Sequence, residues 1–250
     1  MALLCVMATA CTASGGGPAA HPSPFGEPSV DESVVEQHAQ QFTGGKNSRP
    51  AGSQEEFAAA AYITGHLQKA GYIIRLDPVP VSDTVRSTNV IALPPSGAEP
   101  KVVVITGYTR GTAVWLGDGP SIGLFLELAR ALNVADPKHS VEFVALGGEG
   151  ADAPGTYLGS LRLVESMVED DIHPKVIELW HVEPGADAWY AKGPDAEELL
   201  SLAPAGKPTN VGGRTPKDPY DEAGFDHDMV FGSLAGAATA VLDYLEREGR

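Results

Sequence analysis

With 250 residues, 43% of them hydrophobic and 20% charged, the chain can bury a substantial core in one large α/β domain or two small ones. Its 33 acidic and 17 basic side chains leave a net charge of −16, which argues against binding nucleic acid or anionic lipid headgroups through a basic surface. Both cysteines fall in the first eleven residues, so the remainder has no disulfide to rely on.

Residues 1–10 are apolar and uncharged, and they end in Ala8-Thr9-Ala10 before Cys11. They resemble the end of a bacterial lipoprotein signal, whose cysteine is lipidated and becomes the new N-terminus. On that reading Cys11 carries a membrane anchor. The stretch is short and lacks the Lys or Arg that opens such signals, as in a truncated start. Residues 11–30, rich in Gly, Pro, Ser and Ala, read as a flexible tether, and 31–250 as the folded domain.

Helical spacing runs from Asp31 to about Phe42, with Val34, Val35 and His38 on one face. Ser53-Gln-Glu-Glu56 is a capping box opening a helix to about Ala70, with Gly71 as its stop and an expected apolar stripe of Phe57, Ala60, Ala61, Ile63 and Leu67. Strands are expected near Tyr72–Leu76, Asn89–Leu93 and Lys101–Thr106. The unbroken run Val102-Val-Val-Ile105 suits a strand covered on both faces. A helix over Pro120–Asn133 has proline near its first position. A strand at Val141–Leu146, a helix at Gly155–Val168 and a strand at Val176–Trp180 follow. An edge strand at Ala188–Ala191 and a short helix at Glu197–Leu202 precede a final helix from Asp228 to Arg247. That helix includes Met229, Val230, Leu234, Val241, Leu242 and Leu245, with Asp226 or Asp228 as N-cap. Strands alternating with helices predict an α/β three-layer sandwich around a mostly parallel sheet.

Four segments, in order, resemble peptidase family M28, the zinc aminopeptidases. They are Arg49-Pro-Ala-Gly-Ser53, Thr88-Asn-Val-Ile-Ala92, Leu146-Gly-Gly-Glu-Gly150 with Tyr157-Leu-Gly-Ser160, and Arg214-Thr-Pro-Lys-Asp218. The resemblance spans about 49–248 and implies a zinc-aminopeptidase-like (phosphorylase/hydrolase-like) fold. Family members hold two zinc ions with two His, two Asp and one Glu, and use a further Glu as general base. A metal-bridging water, made acidic by the metals, is the nucleophile.

Carried over residue by residue, the five ligand positions fall on Tyr108, Gly119, Gly150, Trp180 and Arg214, none a normal zinc ligand. The Asp following the first ligand falls on Arg110. The general base survives as Glu149. Ligand-capable neighbours stand one step away, Asp118 beside Gly119 and His181 beside Trp180. The vacated ligand positions predict a non-catalytic, lipid-anchored or secreted cell-envelope protein without cofactor. Its old substrate cleft is formed by Tyr108, Arg110, Asp118, Glu149, Trp180, His181 and Arg214. Arg110 and Arg214 suit a peptide carboxylate or another small anion where cations once sat. Trp115, Trp180, Trp189 and Tyr190 read as core or as lining of that cleft. The alternative is an active aminopeptidase or amide hydrolase, with one zinc on Asp118 and His181 and with Glu149 as base. His66 and His139 read as structural. Gly147-Gly-Glu-Gly150 lacks the Lys-Ser/Thr of a phosphate loop, and no Gly-x-Ser-x-Gly elbow is present.

Overall fold

A computed structural model describes residues 29–42, 48–109, 119–136, 138–149, 157–172, 174–182, 188–192, 228–231 and 234–250. The chain starts with α1 (Glu32–Gln40), whose N-cap Asp31 accepts from Ser33 N at 2.9 Å. Next comes α2 (Gln54–Lys69), opened by Ser53, whose Oγ accepts from Glu56 N at 3.1 Å. Gly71, at φ +98°, closes α2 with a paired turn: Gly71 N bonds Gln68 O and Tyr72 N bonds Leu67 O.

Strands β1 (Ile73–Pro80) and β2 (Arg86–Leu93) form a hairpin, followed by β3 (Val102–Gly107), α3 (Gly119–Ala135) and β4 (Val141–Leu146). Helix α4 (Leu158–Glu169) leads to β5 (Lys175–Val182), β6 (Ala188–Lys192) and β7 (Asp228–Phe231), and α5 (Leu234–Glu248) ends the chain. Among the described residues the seven strands form one sheet in the order β1-β2-β4-β3-β5-β6-β7. β4, β3 and β5 are mutually parallel at its centre, and the remaining pairings are antiparallel. Taken together, these registers point five strands one way and reverse only β2 and β6.

The sheet separates two apolar layers. On one face Val90, Val104 and Phe143 pack with Ile63 and Leu67 of α2, Phe125 and Leu128 of α3, and Val241 of α5. On the other, Ile91, Val103, Ile105 and Val144 meet Leu163 of α4. The three layers expected from the alternation of elements are therefore present. β3 and β4 are buried along their whole lengths, as continuous apolar runs in central strands require.

Three expectations need correction. The strand at Ala188–Ala191, expected at an edge, is β6, which is flanked on both sides by β5 and β7. Asp228, Met229 and Val230 belong to β7 rather than to the final helix, so Asp228 is not its N-cap; their main chain pairs with β6. In α2 the buried positions are Glu56, Ala59, Ile63 and Leu67, while Phe57 is 77% exposed and Ala61 also faces outward. Glu56 turns inward to meet polar partners, and its neighbour, about 100° further round the helix, must face out. The proposed helix at Glu197–Leu202 lies outside the described residues.

Helix α1 lies unusually close to α3. A Cβ built on Gly119 would sit 2.4 Å from Ala39 O, and one on Gly123 would sit 2.4 Å from Val35 O. Two glycines four apart thus form a notch on α3 into which the backbone of α1 is set.

Candidate functional site

Open α/β sheets place their sites at the carboxyl ends of the strands. Here β4, β3 and β5 end side by side. Tyr108 and Thr109 follow β3, Gly147 to Glu149 follow β4, and Trp180 and His181 occupy the last turns of β5, in register with Tyr190 and Trp189 of β6. The N-terminal residue of α3 is Gly119.

A hub of hydrogen bonds fixes these strand ends. Glu56 Oε1 accepts from Thr109 Oγ1 at 2.6 Å, from Ser87 Oγ, and from Gly148 N at 3.4 Å, while Oε2 accepts from Gly52 N at 2.5 Å. Thr109 Oγ1 in turn accepts from Gly148 N at 2.6 Å. Glu56 thereby ties the start of α2 to β2, to the turn after β3 and to the turn after β4. Asn89 adds a second tie, accepting from Gly147 N at 3.0 Å and donating to Gly159 O at 2.9 Å. Gly148 takes φ +73°, and a Cβ at Gly159 would lie 2.2 Å from Gly147 O, so glycine is required at both.

Arg49 is 2% exposed. Its Nε donates to Tyr108 O at 2.7 Å, one of its terminal nitrogens donates to Phe42 O at 3.2 Å, and its guanidinium lies 5.3 Å from the Phe42 ring. Arg49, which opens the Arg-x-x-Gly-Ser segment, is therefore a buried clamp on the end of β3.

Tyr108, expected in a cleft wall, is part of the main core and 1% exposed. Its hydroxyl donates to Thr88 O at 2.5 Å. Burial, reinforced by the Glu56 carboxylate, raises its phenol above the ordinary value, so it stays a protonated donor. Glu149 is also buried, with Oε1 accepting from Ser160 N at 2.7 Å and its main chain bridging to Tyr157. The carboxylate expected as general base is thus anchored to the first turn of α4.

Gly119 is buried beneath α1, and its missing side chain is a packing requirement. A metal-ligating carboxylate there would have to displace Ala39. Neither of the two ligand positions whose side chains are described fits a zinc ion: Tyr108 carries a phenol bonded to a main-chain carbonyl, and Gly119 has no room for a side chain. Arg110, Asp118, Gly150, Arg214, Trp115 and Cys11 lie outside the described residues, and the Trp180 and His181 positions are fixed by backbone register. Among the described residues no group of three or more His, Cys, Asp or Glu is placed to hold a metal.

No family model and no curated protein matches the chain. Among solved structures it is similar to the glutaminyl cyclase of Fimbriiglobus ruber, with a TM-score of 0.66 and 15% identity over 94% of this chain and 99% of that one. The chain has the zinc-aminopeptidase-like fold. A glutaminyl cyclase from Macrostomum lignano matches at TM-score 0.45 and 16% identity over 63% of this chain, which spans 51% of that protein. A candidate Zn-dependent exopeptidase from Bacteroides vulgatus matches at 0.48 and 18% identity over 64% of each chain. The fold assignment rests on the first of these, which is matched over nearly its whole length.

The Glu56 hub escaped the sequence reading except as a helix cap. Glu56 is identifiable from the capping box, but Ser87, Thr109 and Gly148 come from distant segments whose hydroxyl and glycine residues carry no periodic signal.

Proposed function

We propose that this chain is a hydrolase-fold protein of the bacterial cell envelope that has lost its di-zinc site. Its strand-end cleft then binds a peptide or small anion without cleaving it. The observation that carries this reading is the use made of positions 108 and 119, where the M28 resemblance puts metal ligands. Tyr108 spends its hydroxyl on Thr88 O, and Gly119 is closed by the backbone of α1. Without metals to acidify a water, Glu149 has no nucleophile to activate. Arg110 and Arg214 supply the anion preference, and lipidated Cys11 the anchor.

A second reading draws on the retention of Glu149 at the end of β4 and on the full-length fold match to a glutaminyl cyclase. It is a mono-zinc amide hydrolase or related acyl-transfer enzyme using Asp118 and His181. Metal stoichiometry separates the two. The protein from Pro28 onward is loaded with zinc and buffer-exchanged, and it is expected to retain none. One tightly held zinc lost in Asp118→Ala or His181→Ala, with chelator-sensitive turnover abolished in Glu149→Gln, would overturn the binding role.

A further inference from the structure

On the opposite side of α2 and α3 from the sheet, α1, α2 and α3 enclose a cavity of about 350 Å³, within the ~300–1,000 Å³ span of small-molecule sites. It lies toward the C-terminal half of α2, whereas the strand-end cleft abuts the N-terminus of that helix. Val34, Ala70 and Leu126 supply apolar wall. The rings of His38, Tyr62 and His66 form a compact set: His38 stands edge-on to His66 at 4.5 Å, and Tyr62 lies 4.4 Å from His66. Tyr62 stands edge-on to Phe42, 5.4 Å away, which fixes it from behind.

The polar groups of this cavity are mostly donors. Lys69, three residues after His66 on the same helix, has no ion pair among the described residues. Burial, with the Lys69 charge as a lesser cause, holds the His66 imidazole below its ordinary pKa. His66 itself has ring contacts but no hydrogen bond to the protein among the described residues. The one acid in the lining, Glu127, is already saturated. It takes Arg130 Nε at 2.8 Å, a terminal nitrogen of Arg130 at 2.6 Å and Asp31 N at 3.0 Å. His38 shares its Nδ1 with Tyr62 Oη at 2.8 Å. An ammonium and an imidazole with no hydrogen-bonded partner among the described residues therefore face an apolar, ring-lined space, whose other polar lining includes the Gln37 amide.

We propose that this cavity is a second binding site, for a small carboxylic acid with an apolar body, aromatic or short-chain aliphatic. The carboxylate is held by Lys69 and His66, and the body lies against Tyr62, Val34 and Leu126. A divalent cation is the poorer occupant, because Lys69 and Arg130 repel it and no acidic oxygen is uncommitted.

The test titrates the full chain with benzoate, and with benzamide as its uncharged isostere, following the imidazole C–H resonances of His38, His66 and His139. Benzoate is expected to bind at least ten-fold more tightly than benzamide and to move His38 and His66 but not His139. Lys69→Met, an exposed substitution that keeps a good helix former, is expected to weaken benzoate at least five-fold and benzamide less than two-fold. Equal binding of the two probes, or benzoate affinity untouched by Lys69→Met, overturns the site. Benzoate binding lost in Arg110→Ala/Arg214→Ala and kept in Lys69→Met would overturn it too, and would place the ligand in the strand-end cleft.

Discussion

Two sets of groups share the carboxyl end of the sheet, and they have had opposite fates. Glu56, Ser87, Thr109, Asn89, Gly147, Gly148 and Gly159 keep a connected scaffold in which hydrogen-bond donors from four segments converge on a few buried oxygens. Tyr108 and Gly119, at the positions matched to metal ligands, have instead been absorbed into packing. The difference teaches that these strand-end loops are held by their own polar network, apart from the side chains at positions 108 and 119.

The strongest way to break this comparison is Glu56→Ala. It strands the Ser87 and Thr109 hydroxyls in a buried place and takes the acceptor from Gly52 N, so a loss of about 3 kcal/mol is expected in urea unfolding. Glu56→Gln, which keeps one acceptor oxygen, should lose distinctly less. If both variants melt like the parent, the scaffold is not what holds these loops.

Gly119→Asp asks whether the notch on α3 admits a carboxylate. Its Cβ meets Ala39 O at 2.4 Å, so a destabilisation of about 1–3 kcal/mol is expected, with no gain in zinc retention. Gly119→Ala should cost nearly as much, because the collision begins at Cβ. Retained zinc in the Asp variant would show that α1 yields, and that position 119 can serve as a ligand site.

Tyr108→Phe should have a milder effect, about 1–2 kcal/mol, from leaving Thr88 O without its donor in the core. Chemical denaturation measures it directly, and an unchanged midpoint would mean that the hydroxyl is incidental to the filling.

The smallest effect is a background control away from both sets. Burial on β4 pushes the Glu142 carboxyl up to about 7, with Arg75 pulling the other way. A raised folded pKa means the native state binds the proton more tightly. That stability is complete below the unfolded value near 4.5 and is lost as pH rises toward 7. Glu142→Gln should therefore raise Tm at pH 7.5 and leave it unchanged at pH 4. The buried His38 and His139, both held down to about 4 chiefly by burial, work oppositely and weaken the fold as pH falls from 6.5. A Tm gain at pH 7.5 in the glutamine variant separates the carboxyl from that histidine background.

The layers of the fold were legible because their signals are local and redundant. Val102–Ile105 and Val141–Leu146 read as buried strands, and Ser53 with Gly71 bracketed α2 to the residue. The failures have equally local causes. Met229 and Val230 extend the apolar rhythm of α5 backward, so a short strand before Gly232 merges with the helix in any periodic reading. Phe57 looks like core by type, yet Glu56 claims the inward position because its partners are polar. For the site, strand-end placement follows from topology, and Tyr108 and Glu149 could be named. The Arg49 clamp could be named as a motif but not as a bond to Tyr108 O, since contacts across 59 residues leave no trace in spacing.

The glycine notch on α3 also bears on the history open to this chain. Ala39 and Val35 meet it through backbone oxygens, which no substitution on α1 can trim. Placing any side chain at 119 would thus require a whole helix to move. The first step is a loss, so a route to new chemistry at this strand end passes through a deletion or displacement of α1 and not through point mutation at 119 alone.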